Sequence, residues 1–377
     1  MKVWLLPIEP IEARYSVQWL RWWPQELRAL GHTVEVVMGC RLTDRIERGE
    51  FLDAYDTHYF KATQLAQFCR HLRAGTVRAG DVVLLLDAWT PAVEALAYMR
   101  DVAGPRFILA GLLHAGTWDP WDLLAQRGLG RWAEGIERGW LKALDAVFVA
   151  TEFHRHLLGE ARGSPDARAK IHATGFPLYA AEFLHHAIPW SARPRLVVFP
   201  HRLAPEKAPD GFERLRRHYV ERFGEDGTTW VRTKDVCATK EDYYRLLGTA
   251  RVAVSTALQE TWGIAMLESV LLGCWPVAPD RLSYPETLAG FHLYRSDDAA
   301  VARVHRALGA DRSPEFSPEQ LKSLQAFCLF LVYIPTLSEE QFPSCFVKPK
   351  WGKYLTTETE REILEEFQGH GRWQGGA

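Results

Sequence analysis

The chain has 377 residues, 47% of them hydrophobic, a length that exceeds one ordinary core and predicts two domains. Its 45 Lys and Arg against 47 Asp and Glu leave a formal charge of -2, which excludes a global basic field, so any nucleic-acid contact must rest on local patches. The six cysteines (Cys40, Cys69, Cys237, Cys274, Cys328, Cys345) have no C-x-x-C spacing, which argues against a disulfide framework or a thiolate zinc site and fits a reducing cytoplasm.

The N-terminal MKVWLLPIEP has a short apolar run followed by Pro and Glu; it reads as a first strand rather than a signal peptide. No stretch approaches the roughly 18 uninterrupted apolar residues of a spanning helix. From there, short apolar runs alternate with longer amphipathic ones: KVWLLPI, SVQWLRWWPQELRALGH, TVEVVMG, DVVLLLDAW, RFILAGLLH and AVFVATEF. Runs such as VVLLL are oily on both faces, as parallel strands covered by helices require. After the Pro-containing FLHHAIPWSARP the rhythm restarts at RLVVFPHR and continues through TTWVRTK, RVAVSTA and CWPVAPD. The expectation is an α/β chain of two doubly wound, Rossmann-like domains facing a cleft, residues 1–185 and 186–310. A helical tail, 311–377, is expected to pack back across them, with a capping box at Thr357-Glu-Thr-Glu360.

Ligands of doubly wound sheets sit outside the carboxyl ends of the strands. At one such end lies QETWGIAMLE, where Glu260 and Glu268 bracket an oily segment that opens with Gly263. The free N–H groups of a helix beginning there suit a phosphate or sugar hydroxyl, and Gly263 lets a ligand approach the backbone. Glu260 can accept from hydroxyls, and Glu268, more than a turn further, from a second polyol. Two polyols joined by phosphates describe a nucleotide sugar; an ordinary loop carboxylate and a solvated helix residue are the plainer alternative. Upstream, PHRLAPEK places Arg202 and Lys207 five apart at another strand end, where both can meet one diphosphate and stabilise its charge as it departs.

The combination of R-x4-K, E-x7-E and the GCWPVAPD strand, spanning about Leu196 to Glu286, resembles the C-terminal domain of retaining GT-B glycosyltransferases of the family-four-like group. The resemblance implies that Arg202 and Lys207 hold the diphosphate, Glu260 the donor-sugar hydroxyls and Glu268 the ribose. It also lays the backbone of Gly263, Ile264 and Ala265 against sugar and phosphate. It implies a UDP- or GDP-hexose donor, no essential metal, and a histidine facing the sugar, a place that His114 takes after FILAGLL. The Gly-rich loop common after strand one is replaced by PIEPIEARY. Glu9, Glu12, Arg14 and Tyr15, with Trp118 and Asp119 of HAGTWDPWD, are therefore the acceptor-side candidates, against a plain solvated loop. Asp119 and Asp122 are too few for a metal site, and His154, His156, His185 and His186 read as surface or packing residues.

Two narrower groups look similar over QETWGIAMLESVLLGCWPVAPDRLSYPETL: tRNA-queuosine mannosyltransferases and phage glycosyltransferases acting on hydroxymethylated DNA bases, the latter closer in the first domain. Both imply a nucleic-acid acceptor, with 5-hydroxymethylcytosine in DNA the first expectation, and a cytoplasmic location, the host's if the gene is a phage's. Trp19, Arg21, Trp22 and Trp23 in QWLRWW either stack on an unpaired or flipped base or pack helix one onto its sheet. Lys348, Lys350, Trp351 and Lys353 form a second candidate patch or a solvated run. The rival readings are a tRNA-queuosine enzyme, a glycosyltransferase with a small-molecule or glycan acceptor, a nucleotide-sugar isomerase or epimerase, and a non-reacting binding module.

Overall fold

The computed structural model describes residues 1–314 apart from 12–13, 43–52, 103, 179, 289–290 and 292. The expected tail helix with its capping box, the Lys348–Lys353 patch and Glu12 lie outside the described residues. The chain forms two compact units that divide between Pro177 and Leu178.

The first unit is built on six parallel strands: β1 (Lys2–Leu6), β2 (Thr33–Val36), β3 (Val82–Leu85), β4 (Ile108–Leu112), β5 (Ala146–Val149) and β6 (Ile171–Ala173). They lie in the order β2-β1-β3-β4-β5-β6. VVLL of β3 and AVFV of β5 are buried at every position because helices cover both faces. TVEV of β2, at the sheet edge, leaves Thr33 and Glu35 exposed. The second unit carries β7 (Leu196–Phe199), β8 (Thr229–Arg232), β9 (Val252–Val254) and β10 (Trp275–Val277), all parallel, in the order β10-β9-β7-β8. Each sheet thus has one place where the connections from neighbouring parallel strands leave in opposite directions, between β1 and β3 in the first unit and between β7 and β9 in the second. The loops leaving such a pair part from one another and open a crevice.

The helix Tyr15–Ala29 turns its tryptophans inward: Trp19, Trp22 and Trp23 are 0, 4 and 0% exposed. Trp19 donates its indole N–H to Pro177 O at 3.1 Å and meets Phe176 edge-on. QWLRWW therefore packs the helix onto the sheet, and its indoles offer no face to a base. Among the described residues no helix is long and apolar enough to cross a membrane.

Glu137, 2% exposed on the helix Gly130–Ala143, fastens the loops above this sheet. Its carboxylate accepts from Thr117 N and Thr117 Oγ1 at 2.7 Å, from Arg162 Nε at 2.7 Å and from Trp89 Nε1 at 3.1 Å. Those donors come from the segments after β3, after β4 and at the end of the helix Glu152–Arg162. Removing such a carboxylate strands a buried guanidinium and three further donors. Glu137→Ala is expected to lower unfolding free energy by about 3 kcal/mol, read from urea unfolding, with Glu137→Gln intermediate.

Candidate functional site

In the second unit the residues singled out in the sequence converge at the β7/β9 divergence. After β7 the chain passes His201 and Arg202, makes a 3-10 turn over Pro205–Lys207, and enters the left-handed region at Ala208 (φ 48°, ψ 59°) before Pro209 starts a helix. A non-glycine residue there costs about 1 kcal/mol. Thr256 holds it, donating its hydroxyl to Ala208 O at 2.7 Å, while Glu206 O accepts from Leu258 N and Gln259 N at 2.9 and 3.1 Å. The turn after β7 is thereby locked to the loop after β9.

Lys207, 7% exposed, spends its three ammonium protons on Gln259 O (2.6 Å), Glu260 Oε2 (3.1 Å) and Gln259 Oε1 (3.2 Å). Burial pushes the Glu260 carboxyl up, but the Lys207 charge together with hydrogen bonds from Lys207 and the Gly263 N–H outweighs it, so Glu260 titrates below the usual range. Gly263 follows at φ 85°, a conformation only glycine adopts freely, and caps the helix Ile264–Leu271 that carries Ile264 and Ala265 in its first turn. Tyr284 lies beneath that turn, its hydroxyl 2.6 Å from Ser255 Oγ, so a Cβ on Gly263 would come within 3.3 Å of its ring.

Arg202 is turned onto Glu206, through Nε at 2.8 Å and also through Nη2. Glu268 is 1% exposed, and its carboxylate takes Lys240 Nζ at 2.8 Å and the hydroxyls of Tyr243 and Tyr244 at 2.9 Å. Three of its roughly four acceptor positions are occupied, so it is no solvated helix residue. Lys240 also lies over both tyrosine rings, 4.6 and 4.7 Å from their centroids. His201 is 3% exposed with Nε2 unpartnered, and burial, reinforced by Lys207, drives its pKa to about 3. Glu206, Gln259, His201, Lys240, Tyr243 and Tyr244 were not found from the sequence. Glu206 inside the R-x4-K stretch, His201 directly before it and Gln259 at the head of QETWGIAMLE had a positional signal.

In the first unit, His114 follows β4. Its Nε2 is 2.7 Å from Leu86 O; a carbonyl only accepts, so Nε2 carries the proton and Nδ1 accepts from Tyr15 OH at 3.2 Å. Burial outweighs nearby Asp87 and lowers the imidazole's pKa, keeping it neutral. Lys61 joins Asp87 Oδ2 at 2.8 Å and Trp89 O at 2.7 Å. Burial pushes the Asp87 carboxyl up, but the Lys61 charge, with hydrogen bonds from Lys61 and the Trp89 N–H, brings it below its usual range. Lys61 and Asp87 are additions to the predicted set; the signal was an Asp at the end of the oily VVLLL run.

The acceptor-side candidates divide. Tyr15 reaches His114, whereas Glu9, 5% exposed, is engaged by Thr57 Oγ1 at 2.9 Å and Arg41 at 3.9 Å rather than being a solvated loop residue. Arg14 precedes the helix Tyr15–Ala29, its N–H on Ile11 O at 2.9 Å. Trp118 corrects the expectation of an acceptor surface: it is 4% exposed in the core, and its indole donates to His154 Nε2 at 3.3 Å. Asp119 and Asp122 are buried and accept from the backbone N–H of Trp121 and Leu124, which makes them turn and cap residues.

No protein-family model matches the chain. A 66-residue stretch, 18% of this chain, is 38% identical to the tRNA-queuosine alpha-mannosyltransferase of Drosophila melanogaster and spans 18% of that protein's length. Among solved structures, sucrose-phosphate synthase from Thermosynechococcus elongatus superposes with a TM-score of 0.56 at 13% identity, covering 96% of this chain and 99% of that one. The lipopolysaccharide outer core galactosyltransferase WaaB gives 0.54 at 14% identity, over 88% and 96%. The catalytic domain of starch synthase IV from Arabidopsis thaliana, bound to ADP and acarbose, gives 0.53 at 12% identity, over 98% and 99%. At such identities the likeness is one of fold, and the fold is GT-B.

Buried neutral imidazoles make stability depend on pH. His154 and His201 have folded pKa values of about 3 and His172 of about 4, each lowered chiefly by burial. Below about pH 6.5 the unfolded chain takes up protons that the folded one refuses, so stability is full above pH 6.5 and falls toward pH 4, by about 1.4 kcal/mol per pH unit for each group. Urea midpoints should drop steadily from pH 7 to pH 5, before carboxylates titrate; a flat profile contradicts the burial.

Proposed function

We propose that the protein is a retaining, metal-independent glycosyltransferase that moves a hexose from a nucleoside diphosphate to a hydroxyl on a modified nucleobase. The observation that carries the reading is the buried Lys207–Glu260 pair at the β7/β9 divergence, with Arg202 five residues before the lysine and Glu268 on the helix that follows the glutamate. The GT-B fold and the 66-residue match to a mannosyltransferase support the class.

In this reading Arg202 exchanges Glu206 for the departing diphosphate, and Lys207 meets it in exchange for one of its Gln259 contacts. The C1–O bond to phosphate breaks with its electron pair going to the diphosphate, and the fixed cations stabilise that charge more in the transition state than in the ground state. The acceptor oxygen bonds to C1 from the face the diphosphate leaves, and its proton passes to a diphosphate oxygen, so the anomeric configuration is retained. Glu260, held ionised by Lys207, accepts from sugar hydroxyls, and the backbone of Gly263, Ile264 and Ala265 lies against sugar and phosphate. Glu268 takes the ribose through its remaining acceptor position or in exchange for Lys240. His114 serves a sugar hydroxyl, which replaces Tyr15 on Nδ1. The donor is a UDP- or GDP-hexose, and the enzyme works in the cytoplasm.

The acceptor proposed first is 5-hydroxymethylcytosine in DNA, on the likeness of the first domain to the phage-type group. The second is queuosine in tRNA, which the 66-residue match favours. Lys207→Ala and Glu260→Ala should each reduce turnover at least about 100-fold with circular dichroism unchanged; wild-type activity in either overturns the site. Mass spectrometry of nucleosides, after incubation with nucleotide sugars and each nucleic acid, identifies the acceptor. Hexose on the DNA nucleoside upholds the first reading, hexosylated queuosine the second, and donor hydrolysis with neither product removes both acceptors.

A further inference from the structure

Exposed aromatic and cationic side chains of the kind that QWLRWW would need in order to stack on a base are present elsewhere in the first unit. Among the described tryptophans only Trp121 and Trp132 are exposed, at 48 and 47%. They flank the short helix Leu123–Gln126 in the segment that follows β4 and His114. Successive turns connect them, through Gln126 N to Asp122 O, Leu129 N to Leu124 O and Trp132 N to Leu129 O. The segment is anchored by Thr117 on Glu137 and by Trp118 on His154.

The helix Gly130–Ala143 buries Ala133, Glu137, Trp140 and Leu141. The remaining circumference exposes Arg131, Trp132, Ile136 and Lys142, with Gly135 and Gly139 between them and Glu134 and Arg138 paired with each other at 3.0 Å along one side. Exposed arginines elsewhere close onto carboxylates three or four residues away, as Arg155 does on Glu152, Arg216 on Glu213 and Arg245 on Glu241. Arg127, Arg131 and Lys142 have no side-chain partner among the described residues. A Cβ on Gly135 or Gly139 would meet nothing within 4 Å, so neither glycine is needed for packing inside the unit, although alanine would favour the helix more. The segment and helix together thus carry two exposed indoles, three cations without a side-chain partner among the described residues and a backbone open to close approach.

We infer that this surface binds the DNA acceptor, stacking Trp121 and Trp132 on unpaired or flipped-out nucleotides while Arg127, Arg131 and Lys142 meet the flanking phosphates. A base presented to an enzyme must leave its stack, and the exposed indoles supply the replacement stacking surface for its neighbours. The occupant follows from charge complementarity to a polyanion and rests on the DNA acceptor proposed above.

The test is fluorescence anisotropy of the full chain with a labelled single-stranded oligodeoxynucleotide over a range of salt. Trp132→Ala is expected to weaken binding on the order of ten-fold with the salt dependence kept. Arg131→Ala should weaken it and lower the slope of log K against log salt by about one. Gly139→Leu should raise the thermal midpoint yet weaken binding, a combination that a purely structural role does not produce. Binding by all three variants equal to wild type, or no binding by the wild type, overturns the inference. So does tighter, variant-sensitive binding of an RNA oligonucleotide, or self-association that Trp132→Ala abolishes. Hydroxymethylcytosine glycosylation is followed in parallel: product formation with variant-insensitive binding sinks the surface alone, whereas variant-sensitive DNA binding without product sinks the acceptor and keeps the surface.

Discussion

The Lys207–Glu260 pair is the contact on which the second unit's site depends. Two strands adjacent in the sheet send their loops apart, and the ammonium of one loop crosses to three acceptors on the other. Both partners are largely withdrawn from water, at 9 and 13% side-chain exposure. A charge buried there without its partner would be strongly unfavourable, so each group fixes the position of the other, and Lys207 helps hold Glu260 ionised. The left-handed backbone at Ala208 and at Gly263 is a consequence of the same constraint. The first brings Lys207 to the crossing point, and the second turns the chain into the helix directly after Glu260. Backbone in sparsely populated regions persists only where surrounding contacts over-determine it, and here the Thr256 and Tyr284 contacts do so.

The first unit solves a similar problem with a neutral group at its centre. His114 is held by a backbone carbonyl on one side and a phenol on the other, which fixes both tautomer and ring plane. Lys61 and Asp87 stand beside it as a compensated pair. Glu137 acts further out, tying the segments after β3 and β4 to two helices through one buried carboxylate. Precise side chains at loop positions thus rest on carboxylates that make no contact with the loops' own exposed surface.

Much of the architecture was legible because its signals are local. VVLLL and AVFV, short and rich in β-branched or aromatic residues, read as two-sided buried strands, and a Gly between a strand-like run and an apolar helix announces a turn. Lys207, Glu260 and Gly263 were found because strand ends collect ligands in this kind of sheet. Tyr15 and His114 were both picked out, 99 residues apart, but their contact was not. The partners that set their chemistry were missed for the same reason. Lys240, Tyr243 and Tyr244 reach Glu268 from a neighbouring helix, and nothing in TKEDYYRLL marks that destination.

The tryptophans show the division most clearly. Composition alone said that aromatic side chains were abundant, and QWLRWW put three of them beside a cation. Which ones face water depends on the face a helix turns to its sheet, and that is decided by the packing of distant segments: Trp19 is closed over by Phe176 and Pro177, while Trp132 is left outside because Trp140 and Leu141 fill the inner face of its helix. By itself the sequence determined the strand and helix rhythm and the placing of Arg202, Lys207, Glu260 and Gly263 at strand ends, since those depend on local pattern. Tertiary structure decided ionisation, tautomer and exposure, because burial and the approach of charges far apart in the chain set all three.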